Sequence, residues 1–573
     1  MRVNEKGQQR RTMRNPRDVM QPERLGAMHQ TRISFVRSLL RKMIRENWTV
    51  AATLWDMNPQ GYGTSVYTLT TPENDYQLIV FSNAIEDHER CDRVIAEKWD
   101  VTFALVRGKV SDDDLENLRQ NVPLQEAGRN STQVLVLARA NKSVRVFEHL
   151  VAALSQGSQP DGDILASVGY ILRTTAVYGN GKFGIADFET LANSDFSSSF
   201  SAQMCAVFIL RQFSLDWVHY LAEIHGGDNA VTLAPEFQRY LGVGNATGLG
   251  MAPYLLRHPC VVDQWMTQRE HALSDVLEQP VEDTVCNTLV TYLNMASVHL
   301  SQVITIDDDQ RARNHKAAEE LPVIAAQANA LCRQTGSHWR ALMEYASHYS
   351  FDAQEALVAC LLELYPDLVD RFEQQMNTVE EMAIQPGVTV GEMVDVLERR
   401  YQWALDIDFS EPENQYWFWY RSQDKEEPRL GVRGEEPGEE HELPLDVGRQ
   451  VNAFYAVLKA EDRETSLARF LLENPRFRQI ARRSFTLGNR EMGDIQINSI
   501  GQHSKPMHLL RCKLSMFGAT KFDPRSDRWV RVTLFQGAPL LDDLSDKQVN
   551  DHWIFPVLPV VSPDNNKERE QHQ

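Results

Sequence analysis

The side chains whose types and spacing could do chemistry gather in two glycine-rich stretches. The first runs Arg173-Thr174-Thr175-Ala176-Val177-Tyr178-Gly179-Asn180-Gly181-Lys182-Phe183-Gly184. Gly179, Gly181 and Gly184 spell G-x-G-x-x-G, a pattern in which backbone N–H groups can approach a phosphate at the start of a helix. A dinucleotide site also needs a helix after the glycines and an acid about 20 residues on. Here residues 185–200 make a poor helix, with Asn193, Ser194 and Ser197–Ser199, and residues 200–208 contain no acid. What survives is a backbone nest beside Arg173, Tyr178 and Lys182, suited to a carboxylate or phosphate. The plainer alternative is a tight turn in which glycine only supplies positive φ.

The second stretch, Leu241–Pro253, carries Gly242, Gly244, Gly248 and Gly250. It reads as a loop ahead of a helix over Ala252–His258, with Pro253 in the first turn and Pro259 as the stop. Asn245 and Thr247 add hydrogen-bonding side chains. The alternative is close packing that only glycine permits. If both loops meet, Arg173, Gly179, Gly181, Asn245 and Thr247 would bind an anion, while Tyr178, Lys182 and His258 would move protons.

Other signatures are missing from the sequence. It contains no G-x-x-x-x-G-K-[ST] and no G-x-S-x-G. His219 and His225 are six apart, which does not put two ligands on one helix face, so we expect no metal and no cofactor. Seven cysteines are scattered without a C-x-x-C, which argues against a disulfide framework and a thiolate zinc site. Tyr416-Trp417-Phe418-Trp419-Tyr420-Arg421 could stack on a flat ligand, and more often such a run is a packed strand.

The elements that must position these residues follow from periodicity. Residues 1–29, with many Arg and Gln and with Pro16 and Pro22, read as a disordered basic tail. Thr31 then caps a helix whose outer face carries Arg37, Arg41 and Lys42. Thr49–Leu54, Ser65–Thr70 and Gln77–Phe81 alternate as an antiparallel meander, followed by strands Val101–Val106 and Gln133–Ala138 around a helix opened by Ser111 and Asp114. The fold class expected is multidomain α+β: an α+β domain over 30–157, a large mostly helical domain over 158–405, and an α+β region over 406–560 before a polar tail at 561–573. Phe200–Ile224 is a buried helix stopped by Gly226-Gly227. Residues 424–442 hold eight acids and three bases and read as a mobile acidic linker. His508–Met516 and Trp529–Phe535 read as strands parted by Asp523-Pro524.

The chain has 573 residues, and 42% of them are hydrophobic, enough for large cores. Its net charge is −20, although residues 1–46 hold 12 Lys+Arg against 4 Asp+Glu. An acidic body is a poor nucleic-acid partner. No run of about 18 apolar residues offers a membrane span, and no signal peptide is evident, so a cytoplasmic location is expected. Taken together, the residues point to an enzyme that binds a small anionic organic substrate at the glycine-rich loops. Metal-independent acid–base chemistry, as in a lyase or hydrolase, would follow. A nucleotide-binding oxidoreductase and a non-catalytic assembly protein stand as alternatives, and a homo-oligomer stays open.

Overall fold

Period-two alternation in residues 49–142 becomes five antiparallel strands. In the computed structural model these are β1 (Thr49–Met57), β2 (Gly63–Thr70), β3 (Asp75–Ser82), β4 (Val101–Arg107) and β5 (Val134–Lys142). The structure describes residues 13–86, 99–121, 133–176, 194–198, 200–248, 258–334, 336, 338–373, 383–411, 419–421, 428–430, 441–442, 447–493, 506–525, 529–546 and 551–561. The sheet continues through β6 (Tyr170–Thr174), antiparallel to β5, and β7 (Gly242–Gly248), parallel to β6. It ends with β12 (Trp529–Leu534) and β11 (Ala519–Pro524), antiparallel to each other. The order is β1-β2-β3-β4-β5-β6-β7-β12-β11, nine strands drawn from both ends of the chain. The protein is thus a multidomain α+β chain.

Strand alternation assigns the two faces of this sheet. Val66, Ile79, Phe81, Ala104, Val106, Val134 and Leu137 pack against Leu118 of α4 (Asp112–Asn121). Tyr67, of opposite parity to Val66, turns to the other side and donates to Asp216 at 2.6 Å. Asp216 belongs to the helix expected over Phe200–Ile224, which runs Ser201–Gly226 and is buried along most of its length. Helices α1 (Pro16–Val19), α2 (Pro22–Leu25), α3 (Phe35–Arg45), α5 (Phe147–Ser155) and α6 (Gly162–Val168) precede it, so it is α7 here.

Later helices are α8 (Pro235–Tyr240), α9 (Pro259–Leu277), α10 (Asp283–Gln302), α11 (Asp308–Cys332), α12 (Trp339–Ala346), α13 (Phe351–Glu363) and α14 (Pro366–Glu373). They are followed by α15 (Val390–Arg400), α16 (Gln402–Leu405), α17 (Val447–Leu458), α18 (Leu467–Glu473), α19 (Arg478–Leu487) and α20 (Pro506–Phe517). The chain divides into two compact units, both discontinuous in sequence. The sheet unit comprises His29–Thr247, Gln279–Pro366 and Leu514–Gln573, and the other comprises Met1–Met28, Gly248–Glu278 and Asp367–Lys513. The second unit has its own core, built on Val390, Met393, Leu397, Val451, Phe454 and Leu467, and a three-stranded sheet β10-β8-β9 (His441–Glu442, Trp419–Arg421, Pro428–Leu430).

Several sequence expectations change. Residues 13–29 are not a disordered tail: Pro16 and Pro22 each open a one-turn helix, and Val19, Met20, Leu25 and Met28 are buried. Arg14 grips the buried Glu270 through two bonds of 2.7 Å, giving that cation a partner that composition could not reveal. Ser34, not Thr31, is the residue before α3, and Thr31 instead donates its N–H to Ser34 Oγ at 2.9 Å. Arg37 and Arg41, expected on an outer face, are buried. His508–Met516 is helix, within α20, and β11 includes Asp523 and Pro524. Within the expected acidic linker, Pro428–Leu430 and His441–Glu442 are strands, and the rest lies outside the described residues, as do Tyr416–Phe418. The cysteines do form a disulfide, Cys286–Cys332, linking α10 to α11 with Cα atoms 6.5 Å apart; 46 residues separate them, so spacing gave no signal.

Arg211 of α7 organises the middle of the sheet unit. Its guanidinium donates to the carbonyls of Leu241 (2.7 Å), Gln238 (3.0 Å), Arg239 (2.8 Å), Ala538 (3.0 Å) and Pro539 (2.8 Å). One buried cation thereby satisfies the last turn of α8, the approach to β7 and the segment after β12. Burial pushes its pKa down to about 9, still cationic at neutral pH. Replacing Arg211 by Met would remove the guanidinium from five carbonyls, of which only that of Arg239 keeps a second donor among the described residues, the Gly537 N–H at 2.8 Å. It should lower stability by about 3 kcal/mol or more, read from denaturant unfolding of the full chain.

Candidate functional site

The sequence-derived residues are only partly brought together. Tyr178, Gly179, Gly181 and Lys182 lie outside the described residues. Their neighbours do meet the second stretch, because β6 and β7 pair in parallel with Arg173 opposite Gly244 and Thr174 opposite Asn245. The second stretch is a strand over Gly242–Gly248, not a loop. Two of its glycines serve close approach: a Cβ on Gly242 would fall on the Leu534 carbonyl oxygen, and one on Gly244 would stand 2.6 Å from the Tyr170 ring. Asn245 is buried and its Nδ2 donates to the Thr174 carbonyl at 3.1 Å, so it ties the strands, while its Oδ1 has no hydrogen-bond partner. Thr247 lies on β7, and its side chain is outside the description. His258 sits at the N-terminal cap of α9, because Pro259 occupies its first helical position rather than stopping a helix; residues 252–257, where the helix was expected, lie outside the described residues. His258 belongs to the other unit.

Asp195 fixes the chain just after the first glycine-rich stretch. One carboxylate oxygen accepts from Thr71 Oγ1 (3.0 Å), Asn74 Nδ2 (2.9 Å) and Tyr76 OH (2.8 Å), and Lys42 Nζ donates to its carbonyl at 2.6 Å. Burial raises this carboxyl, but those hydrogen bonds outweigh it and leave it below the usual range.

A chemically equipped recess lies at the start of β6. Ser167, Val168, Tyr170, Lys521, Asp523, Arg525, Arg531 and Thr533 line a recess open to solvent whose enclosed space is about 10 Å³. Strand geometry gathers them. Lys521 and Asp523 alternate along β11, with Lys521 opposite Thr533 and Asp523 opposite Arg531 on β12, and Arg525 directly follows the strand. Asp523 Oδ2 accepts from Arg525 Nη2 at 2.7 Å, and its Oδ1 is buried without a hydrogen-bond partner. Among the described lining residues, three cations face one carboxylate.

The lysine is held by the end of a helix. Gly169, at φ +83°, caps α6 in the left-handed conformation, which leaves the Ala166 and Ser167 carbonyls open. Lys521 Nζ donates to them at 3.0 and 3.3 Å. Burial pushes its pKa down to about 8, with Asp523 pulling the other way and Arg525 and Arg531 assisting. A neutral amine would give both N–H groups to those carbonyls and keep its lone pair for the recess, so both protonation states are accessible near neutral pH.

Sequence reasoning passed over this recess because Asp523-Pro524 was taken as a break. The usable signal was Lys-x-Asp-x-Arg, whose alternate residues share one face of a strand. A base whose folded pKa lies below its unfolded value of about 10.4 makes the folded state shed its proton first, so stability grows as pH rises between the two values. Relative to Lys521→Met, the wild-type chain should gain about 3 kcal/mol between pH 8 and 10.5, read from denaturant unfolding at each pH. Equal slopes for the two proteins would place the lysine pKa elsewhere. Among the described residues, no three His, Cys, Asp or Glu side chains converge as metal ligands, and no helix is long and apolar enough to cross a membrane. Comparison with protein families, with curated proteins and with solved structures gives no match to this chain.

Proposed function

We propose that the protein is an enzyme that binds a small anionic organic molecule at the β11–β12 recess and transfers a proton through the Lys521 amine. The observation that supports this is the convergence of Lys521, Arg525 and Arg531 with Tyr170 and a buried carboxylate in one open space. The two guanidiniums would hold a carboxylate or phosphate, and the amine lone pair would take the proton as charge develops on the substrate. The enclosed part of the recess, about 10 Å³, holds one water-sized group, so the recess suits only the anionic end of a molecule whose remainder lies outside it. Acid–base chemistry of this kind serves lyases and hydrolases alike.

A thermal-shift screen of small carboxylates and phosphates, with nicotinamide and flavin nucleotides alongside, tests the proposal. At a hundred times Kd the ligand should add about 2.7 kcal/mol of stability, and Arg525→Gln/Arg531→Gln should abolish the shift. No stabilising anion, or a shift unchanged in the double variant, would remove the recess from consideration; stabilisation by nucleotides alone would favour the oxidoreductase.

A further inference from the structure

Asp523 Oδ1, Arg525 Nε and Thr533 Oγ1, all in the wall of the β11–β12 recess, have no hydrogen-bond partner among the described residues. Asp523 and Thr533 are each 1% exposed, so neither atom can turn to bulk water instead. Their chemistry differs. An ionised Asp523 only accepts, Arg525 Nε only donates, and the Thr533 hydroxyl does either. Leaving such groups unmet at this depth costs more than an ordinary hydrogen bond returns, so the recess is built to receive something.

Strand pairing holds the three side chains in place. Arg525 directly follows β11, and its Nη2 donates at 2.7 Å to Asp523 Oδ2, which leaves Oδ1 as the free acceptor of that carboxylate. Thr533 stands on β12 opposite Lys521, two residues before Asp523. Lys521 does not serve Oδ1 either, because its amine is committed to the Ala166 and Ser167 carbonyls. The enclosed space of about 10 Å³ takes one oxygen-sized group. An oxygen placed there must donate to Asp523 Oδ1 and accept from Arg525 Nε, with Thr533 serving either way. A carboxylate oxygen has no hydrogen to give and would set acceptor against acceptor, and a sulfate ester fails for the same reason. A phosphomonoester that keeps one proton meets both demands. Its P–OH oxygen donates and accepts, and its two charged oxygens remain for the guanidiniums of Arg525 and Arg531.

We infer that the anion taken by the recess is a phosphomonoester bound as its monoanion, with the P–OH oxygen in the enclosed part and its hydrogen on Asp523 Oδ1. The remainder of the molecule lies outside. This rests on the reading of the recess as an anion site and narrows its ligand from carboxylate or phosphate to one class. The second ionisation of a phosphate falls near pH 6, so at pH 7 about nine-tenths of the free ester is dianion. Binding the monoanion therefore takes up close to one proton from the buffer.

Calorimetric titration of the full chain at pH 7 with methyl phosphate, methyl sulfate and acetate tests this, each in two buffers of different ionisation enthalpy so that affinity and proton count are read together. Methyl phosphate should bind about tenfold tighter than the other two, the loss expected when a charge-assisted hydrogen bond gives way to facing acceptors. It should also take up close to one proton more than methyl sulfate, which stays unprotonated at this pH and so reports any uptake by Lys521. Asp523→Asn keeps an oxygen for Arg525 Nη2 and turns an amide N–H toward the recess, so it should abolish both the preference and the extra proton. If that variant fails to fold, the titrations of the unaltered chain still decide. Tighter phosphate binding without the proton is a dianion held by charge alone and would overturn the inference. Equal affinities for the two esters, or a folded Asp523→Asn chain that keeps the preference, would do the same, and each of these results leaves the recess an anion site. No binding of any of the three removes the recess and this inference together.

Discussion

Everything in the sheet unit that comes from far apart in sequence meets around one buried guanidinium. Arg211 spends its hydrogen bonds on carbonyls from residues 238–241 and 538–539, so α8, β7 and the return from β12 are set by a single side chain on α7. The consequence reaches the chemistry. β7 must lie between β6 and β12 for Tyr170 to face the strand pair that carries Lys521, Asp523 and Arg531. Gly242 and Gly244 allow that spacing, since any side chain there would collide with Leu534 or Tyr170. Helix, strand and recess are therefore one mechanical problem, solved by placing a charge where main-chain acceptors would otherwise go unmet.

A second theme is the use of cations inside an acidic protein. The chain carries −20 overall, yet Arg32, Arg37, Arg41, Arg211 and Lys521 are all buried. Main-chain carbonyls receive Arg211 and Lys521, and carboxylates receive Arg32 and Arg37. Arg211 serves structure, whereas Lys521 retains a lone pair when neutral, which is the difference between a structural cation and one with capacity for chemistry.

Much of the fold was legible. The meander β1–β3 and the strands β4 and β5 announce themselves by alternation, and the capping exchange between Ser111 and Asp114 is present, with Ser111 Oγ donating at 2.7 Å. α7 was legible because its apolar length exceeds any strand. Failures came where period or composition misled. Leu510, Cys512, Leu514 and Met516 alternate like a strand, but α20 is buried on several sides, so its apolar residues also fill the positions between. Residues 13–29 looked too polar to fold because the carboxylate awaiting Arg14 lies at residue 270. The candidate site was read from glycines, and two of those glycines prove to be spacers. The recess was missed because its cations alternate along strands that only non-local pairing puts together. The parallel register of β6 with β7 brings Arg173 beside Gly244 and Thr174 beside Asn245, while Tyr178–Gly184 lie outside the described residues.

The outermost strand carries one further consequence. β1 ends the nine-strand order, presents mostly exposed residues and includes Leu54 at 41% exposure, with Asp56 its only charge. Such a border normally invites another chain to zip onto it. Its register against β2 slips between Ala52 and Leu54, however, so the strand bends there and offers no straight run longer than about four residues. A would-be addition would lose step at Thr53. That irregularity leaves a nearly uncharged border poorly matched to a straight incoming strand.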